Sequence, residues 1–328
     1  MRSTRQTLLL ACCGMLLTLP TFAIAANPTF TDAREAGEDF AIQGEYSGES
    51  SSGDKWGAQV IAQGDHKFKI IGFKGGLPGD GWDGELQTYL DGELKDGKVE
   101  FSAPEFIVRI EGGGINVLGQ DGTDLAKLKK VERKSSTLDQ KPPAGAIVLF
   151  DGSEGSLAHW ENAKLVDGKY LGATNCSTKQ EFGDHTLHVE FRTPFMPKSF
   201  GQERGNSGVY LQSRYELQVL DSFGLEGKDN ECGGIYSINK PKLNMCYPPL
   251  SWQTYDIEFT AARYDDAGNK TKNARATIKH NGVVIHDNLE LIHGTPGRFP
   301  EGPGKQGLFL QNHGNPVAYR NIWIVEKN

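Results

Sequence analysis

The feature that most constrains this chain is short-range alternation. Leu187, Val189 and Phe191 alternate with His188, Glu190 and Arg192, and Ile257 and Phe259 alternate with Asp256 and Glu258. A period of two belongs to a strand with one buried face, because successive side chains leave opposite sides of the backbone. The punctuation between such runs agrees with this reading. Glycine supplies 41 of the 328 residues, about 12% against a usual ~7%, without a collagen-like triplet. Asp91-Gly92, Asp96-Gly97, Asp121-Gly122, Asp167-Gly168 and Asn281-Gly282 are signals for tight turns between strands. The expected fold class is all-β.

The N-terminus reads as an export signal. Arg2 and Arg5 form a positive start, Thr7–Leu19 is apolar, and Ala23-Ile24-Ala25 is a small-residue cleavage site. The apolar run is shorter than the roughly 20 residues that span a bilayer, so no membrane span is expected. Cleavage after Ala25 would leave a periplasmic or extracellular protein. With 35 Lys+Arg against 42 Asp+Glu, the net charge is −7. That excludes a polybasic nucleic-acid binder, which must neutralise phosphates. Cys12 and Cys13 leave with the signal, and Cys176, Cys232 and Cys246 remain. An oxidising compartment allows one bridge and one free thiol. Cys232 and Cys246 flank a Gly/Pro/Asn-rich loop and are the candidate pair, a bridge contributing about 3 kcal/mol; Cys176 is the alternative partner.

Lys129–Gly145 is charged, then rich in Ser and Thr, then carries Pro142-Pro143, with no apolar period. It reads as a linker. The expected organisation is a signal at 1–25, a small antiparallel β barrel or sandwich at 26–130, a linker at 131–145 and a jelly-roll sandwich at 146–328. In the first domain Lys55–Ala62, Lys67–Phe73, Glu85–Leu90, Lys98–Ser102, Phe106–Ile110 and Ile115–Leu118 read as strands, with a short helix at Thr31–Glu38. That domain shows no recognisable chemistry.

The second domain does. Around Ser207–Leu220, Val209, Leu211, Leu217 and Val219 share the apolar parity, which leaves Tyr210, Gln212, Glu216 and Gln218 on the polar side. With the polar residues of His185–Thr193 and Tyr255–Phe259, they are expected to share one sheet face. Gln, Arg, Tyr and Glu suit sugar hydroxyls, and Tyr210, Tyr236 and Trp252 offer rings for stacking. Glu216-x-Gln218-x-x-Asp221 has the spacing of the acidic strand of secreted jelly-roll glucanases. Gln stands for the central Asp, and a β-bulge would be needed to put Glu216 and Asp221 on one face.

The blocks Gly205–Gln212, Arg214–Ser222, Glu231–Tyr236, Trp252–Ile257, Asn281-Gly282-Val283, Gln311–Val317 and Tyr319–Trp323 resemble the secreted 3-keto-disaccharide hydrolase domain, in order across nearly all of Ala146–Asn328. The N-terminal half resembles a β domain found before such domains in planctomycete-type secreted proteins. The resemblance implies a concanavalin A-like sandwich binding sugar on its concave sheet. The usual Gln-Asp-His is Gln311-Asn312-His313 here, one carboxylate fewer.

Such a substrate has its own chemistry. A ketone at C3 acidifies the C2 proton, so a base can form an enediolate and the C1 substituent can then leave. This needs a base, donors around the ketone oxygen and an acid for the leaving oxygen, not the carboxylate pair of ordinary glycosidases. Glu216 is the candidate base and Asp221 or His313 the candidate acid. Arg214, Gln218 and Gln311 are candidates to position the ketone, with Tyr210, Gln212, Tyr236 and Trp252 lining the sugar site. The expected partner is a carbohydrate. No cofactor is required by this scheme, and a divalent metal is compatible with it. The alternative is a lectin-like module that binds sugar on the same face without catalysis.

Overall fold

The computed structural model describes residues 27–84 and 87–327. The expected export signal and its cleavage site lie outside these, as do Glu85 and Leu86. The chain forms two all-β domains.

The first is a closed antiparallel barrel of eight strands in sequence order: β1 Gly44–Ser50, β2 Lys55–Ala62, β3 Lys67–Lys74, β4 Thr88–Lys95, β5 Lys98–Ser102, β6 Phe106–Glu111, β7 Gly114–Gly119 and β8 Asp124–Val131. Alternation does not reveal β1 and β8: GEYSGES carries one large apolar side chain, and DLAKLKKV is half polar without a regular period of two. They close the barrel by pairing with each other from Glu45↔Val131 to Ser50↔Ala126. Asp91-Gly92 is not the expected turn. Gly92 lies inside β4, where a Cβ would stand 2.5 Å from the Phe101 ring. The helix also sits later than expected, at Gly37–Ile42 (α1). Its Phe40 packs edge-on to Phe195, and the Tyr46 hydroxyl donates to the Ile42 carbonyl, so α1 plugs one end of the barrel.

The second domain is a two-sheet sandwich. One sheet has five strands in the order Trp160–Glu161, Cys176–Thr178, Phe309–Leu310, Ser207–Leu211 and Tyr215–Val219. The other has eight, with Ala318–Glu326, His185–Arg192, Gln253–Thr260, Ala274–His280 and Val283–Leu291 adjacent in that order. Leu187, Val189 and Phe191 from the larger sheet meet Val209, Leu217 and Leu310 from the smaller one in a single core. Alternation inward on both sheets is what makes this sandwich bury its apolar side chains.

Two expectations need correction here. The polar residues of His185–Arg192 and Gln253–Thr260 do not share a face with those around Glu216, because the two sets belong to opposite sheets. The linker is also not a free spacer. It begins within β8, and Ser135–Gln140 lies across the outer face of the eight-stranded sheet. There Thr137 Oγ1 donates to Asp256 Oδ2 at 2.6 Å, and the Asp139 amide donates to Glu190 Oε1 at 2.6 Å. Trp323 Nε1 and Asn321 Nδ2 donate to the Gln140 carbonyl. The domains are joined further by Arg133, which grips Glu45 at 2.5 and 2.7 Å and stacks over Tyr247. No helix among the described residues is long and apolar enough to cross a membrane.

Candidate active site

The site is built on the outer face of the five-stranded sheet. In the strand Ser207–Leu211 the even positions point outward, and in Tyr215–Val219 so do Glu216 and Gln218. The register sets Tyr210 opposite Glu216 and Gly208 opposite Gln218. Gly208 is a requirement of space: a Cβ there would lie 2.6 Å from Glu216 Oε1. The Glu216 side chain therefore folds over the neighbouring strand. The Tyr210 hydroxyl donates to Glu216 Oε2 at 2.8 Å and receives Gln311 Nε2 at 3.0 Å.

Two loops complete the enclosure. The segment after His293 is stapled to the Leu211–Glu216 turn: Thr295 Oγ1 accepts from the Glu216 amide, and Arg214 donates to the Gly304 and Pro303 carbonyls. This brings Pro296 and Gly297 over Tyr210. Gly297 has φ +111°, and a Cβ there would stand 2.6 Å from the Tyr210 hydroxyl. The Gln311–Pro316 loop is held from the other side, where the Gln311 amide donates to the Gly208 carbonyl and the Asn206 amide to Asn315 Oδ1. A cavity of about 160 Å³ results, lined by Gln202, Asn206, Tyr210, Glu216, Gln218, Tyr236, Pro296, Gly297, Gln311 and His313.

Its electrostatics centre on one carboxyl. Glu216 is 4% exposed. Burial pushes its pKa up to about 7, against the opposing pull of the Tyr210 hydroxyl. Burial and the facing carboxylate raise Tyr210 well above the usual phenol value, so it stays a donor. Among the described residues, Gln311 Oε1 is buried without a hydrogen-bond partner. Gln218 is anchored through Nε2 to Asn206 Oδ1 at 2.8 Å.

Of the residues expected from the sequence, Tyr210, Glu216, Gln218, Tyr236, Gln311 and His313 therefore converge. The others do not line this cavity. Asp221 lies beyond the strand end at Val219 with no bulge before it, and Arg204 Nε binds its Oδ2 at 2.7 Å in the interior. Gln212 sits at the turn with φ +50°, its amide tied to the Phe182 carbonyl. Arg214 holds the loop rather than the cavity. Trp252 lies just before the Gln253–Thr260 strand of the other sheet, with Arg320 4.4 Å above its ring, in a separate cavity between the domains. Cys232 and Cys246 are both buried free thiols, as is Cys176. The first two lie in hydrogen-bonding contact, so the expected pair is neighbouring but unbridged. Asn312 is exposed and its Oδ1 accepts from the Gly314 amide. Asn in place of Asp there leaves the cavity lining unchanged.

Sequence reasoning missed Gln202, Asn206, Pro296 and Gly297. Parity could not have found them, because none lies in a strand: Gln202 is in the short 3-10 turn Gly201–Glu203 and the others are in loops. Among the described residues, no three His, Cys, Asp or Glu side chains converge to hold a metal ion.

Residues 145–325 match the family model of a 3-keto-alpha-glucoside-1,2-lyase-like domain. A solved structure from Parabacteroides distasonis ATCC 8503, of a protein assigned as a glycosyl hydrolase, is 33% identical with TM-score 0.51. The match covers 56% of this chain and 85% of that one. A second structure from that organism, assigned likewise, covers 60% of this chain and 100% of its own at 17% identity and TM-score 0.42. No curated protein matches the chain.

Proposed function

The chain belongs to the 3-keto-alpha-glucoside-1,2-lyase-like family, and we propose that it cleaves the glycosidic bond of 3-keto-glycosides in the Glu216 cavity. Family membership and the structural neighbour support a carbohydrate-active enzyme. The observation that carries the finer reading is Glu216 itself. It is a buried carboxyl held near neutrality in a small cavity, with Tyr210 as its side-chain hydrogen-bond partner among the described residues. A general base works best when its pKa lies near the working pH. The cavity is on the scale of the roughly 150 Å³ that takes one six-membered ring.

In this reading the Glu216 carboxylate takes the proton from C2. The C2–H electrons move toward the C3 carbonyl and give an enediolate. His313 and Tyr236, at the cavity wall, donate to the developing oxyanion. Gln311 Oε1 accepts a sugar hydroxyl, which satisfies its buried lone pairs. The C3 carbonyl then re-forms, C1 and C2 become doubly bonded, and the C1–O bond breaks. The leaving oxygen takes a proton from His313 or water. Water adding at C1, with C2 reprotonated by Glu216, completes net hydrolysis; release before that step is a lyase reaction. Residues 1–25, read as an export signal, would place this action outside the cytoplasm.

The test is product NMR after incubating the chain with a 3-keto-glucoside and with its unoxidised parent, with and without divalent metal. The expected result is aglycone release from the keto substrate alone, lost in Glu216→Gln. Unchanged turnover by Glu216→Gln removes the assignment. Saturable sugar binding with no product from either substrate replaces it with the lectin reading.

A further inference from the structure

The barrel holds a cavity of its own, of about 350 Å³, at the end that α1 does not plug. Eight strands enclose an interior just wide enough to be filled by side chains or to hold one small ligand. Here the two ends differ. Near α1 the interior is filled by Tyr46, Val60, Phe68, Val99 and Phe101, each essentially fully buried. At the other end Ala58, Gly72 and Thr88 pair directly across β2, β3 and β4, so small residues stand in one row. Ala126 faces Val117 on the far wall.

Gly72 is the informative member. It is absent from the glycines with positive φ, so the backbone does not need it. A Cβ added there would meet a single neighbour, Trp56 Cζ3, at 4.0 Å. The missing side chain leaves space instead of allowing a turn or a close approach. Trp56, Ile70, Leu90, Phe106, Val108 and Leu128 make the walls apolar.

The mouth carries the polar groups. Ser52 Oγ donates to Asp54 Oδ2 at 2.6 Å, and Ser50 Oγ lies 2.8 Å from Ser52 Oγ. No Lys, Arg or His lines the cavity among the described residues. We propose that this cavity binds one small uncharged aromatic or branched aliphatic molecule bearing a hydroxyl. The hydrocarbon part would fill the space above Gly72, and the hydroxyl would donate to the Asp54–Ser52 cluster. An anionic head would meet a carboxylate with no cation to balance it, while apolar walls with a few convergent polar groups are the usual make-up of a ligand site.

The probe is N-phenyl-1-naphthylamine, titrated into the full chain and followed by fluorescence. The expected result is saturable, one-to-one enhancement, displaced by 2-naphthol and at least tenfold less well by 2-naphthoate. Gly72→Leu and, from the opposite wall, Ala126→Leu should each weaken probe binding at least tenfold while melting no lower than wild type. Glu216→Gln should leave it unchanged. Non-saturable enhancement, equal displacement by naphthol and naphthoate, or full binding by a folded Gly72→Leu chain would each overturn the proposal.

Discussion

The two outer faces of the sandwich look alike in sequence and end differently. Both alternate apolar and polar residues, and both bury carboxyls: Glu216 on the five-stranded face, Glu190 on the eight-stranded one, where Asp256 is half-buried. On the eight-stranded face the buried charges are answered. His188 stands between Asp256, at 2.6 Å from Nδ1, and Glu190, at 3.4 Å from Nε2, under a stacked Trp323. Arg320 binds Glu190 at 2.7 Å and Asp139 at 2.8 Å, and the 135–140 segment covers the cluster. On the other face Glu216 has Tyr210 and an open cavity. Buried charge with its partners in place is scaffold; a buried carboxyl facing empty space is chemistry in waiting.

The sharpest way to break this comparison is a pair of isosteric substitutions. Glu216→Gln should lower cleavage of a 3-keto-glucoside by about 10³-fold and leave the melting temperature essentially unmoved. Glu190→Gln should do the reverse. It leaves His188 and Arg320 short of a counter-charge at a cost of about 3 kcal/mol, a fall in Tm on the order of 5–10 °C, with near-normal turnover. Steady-state kinetics and calorimetry on both variants decide it, and matching effects would erase the distinction.

Acidity separates the faces next. Burial opposes the charged form of His188, but its hydrogen bonds to Asp256 and Glu190 outweigh that and raise its pKa above 6.5. Its contribution is complete below the unfolded value and fades as pH rises through the folded one. Burial also opposes charge on Glu190, but the bonds from His188 and Asn321 win and hold it below 4.5. That contribution is complete above the unfolded value and fades as pH falls through the folded one. The covering segment should therefore be held best between these two ordinary values, 4.5 and 6.5. Hydrogen exchange at the Asp139 amide, corrected for intrinsic rates, reads this directly. Cleavage should instead switch on as pH rises through about 7, where Glu216 ionises. A rate profile flat across that range would remove Glu216 as the base.

Tyr210→Phe gives a smaller effect. Removing the donor to Glu216 favours the protonated acid, so the midpoint of kcat/KM against pH should move upward with about a tenfold loss at neutrality. Arg214→Lys should be the mildest. It loosens the grip on the Pro303 and Gly304 carbonyls, and we expect KM to rise by roughly threefold with kcat nearly kept.

Much of the fold was legible along the chain. A period of two names a strand without reference to anything distant, so β2, β3 and the strands around Leu187, Val209 and Ile257 declare themselves. Strands β1 and β8 do not, because pairing across the barrel seam stabilises them and their own pattern is weak. The site was legible in part for the same reason. Parity puts Tyr210, Glu216 and Gln218 on one face, and the motif around Gln311 and His313 adds the loop. Asp221 and Trp252 misled because type and spacing suggest chemistry, while direction and partner decide it.

By itself the sequence determined an all-β chain in two parts, a sandwich with an apolar interior, and a polar strand pair carrying Glu216. These follow from local alternation and from turn residues, which act over a few positions. Only the tertiary structure decided which polar face stays open. That choice depends on Ser135–Gln140 crossing one sheet and on Pro296, Gly297 and Gln311 enclosing the other, contacts between segments remote in sequence. Solvation around a carboxyl is set by everything that packs near it, so the shift of Glu216 toward neutrality could arise only once the chain had closed around it.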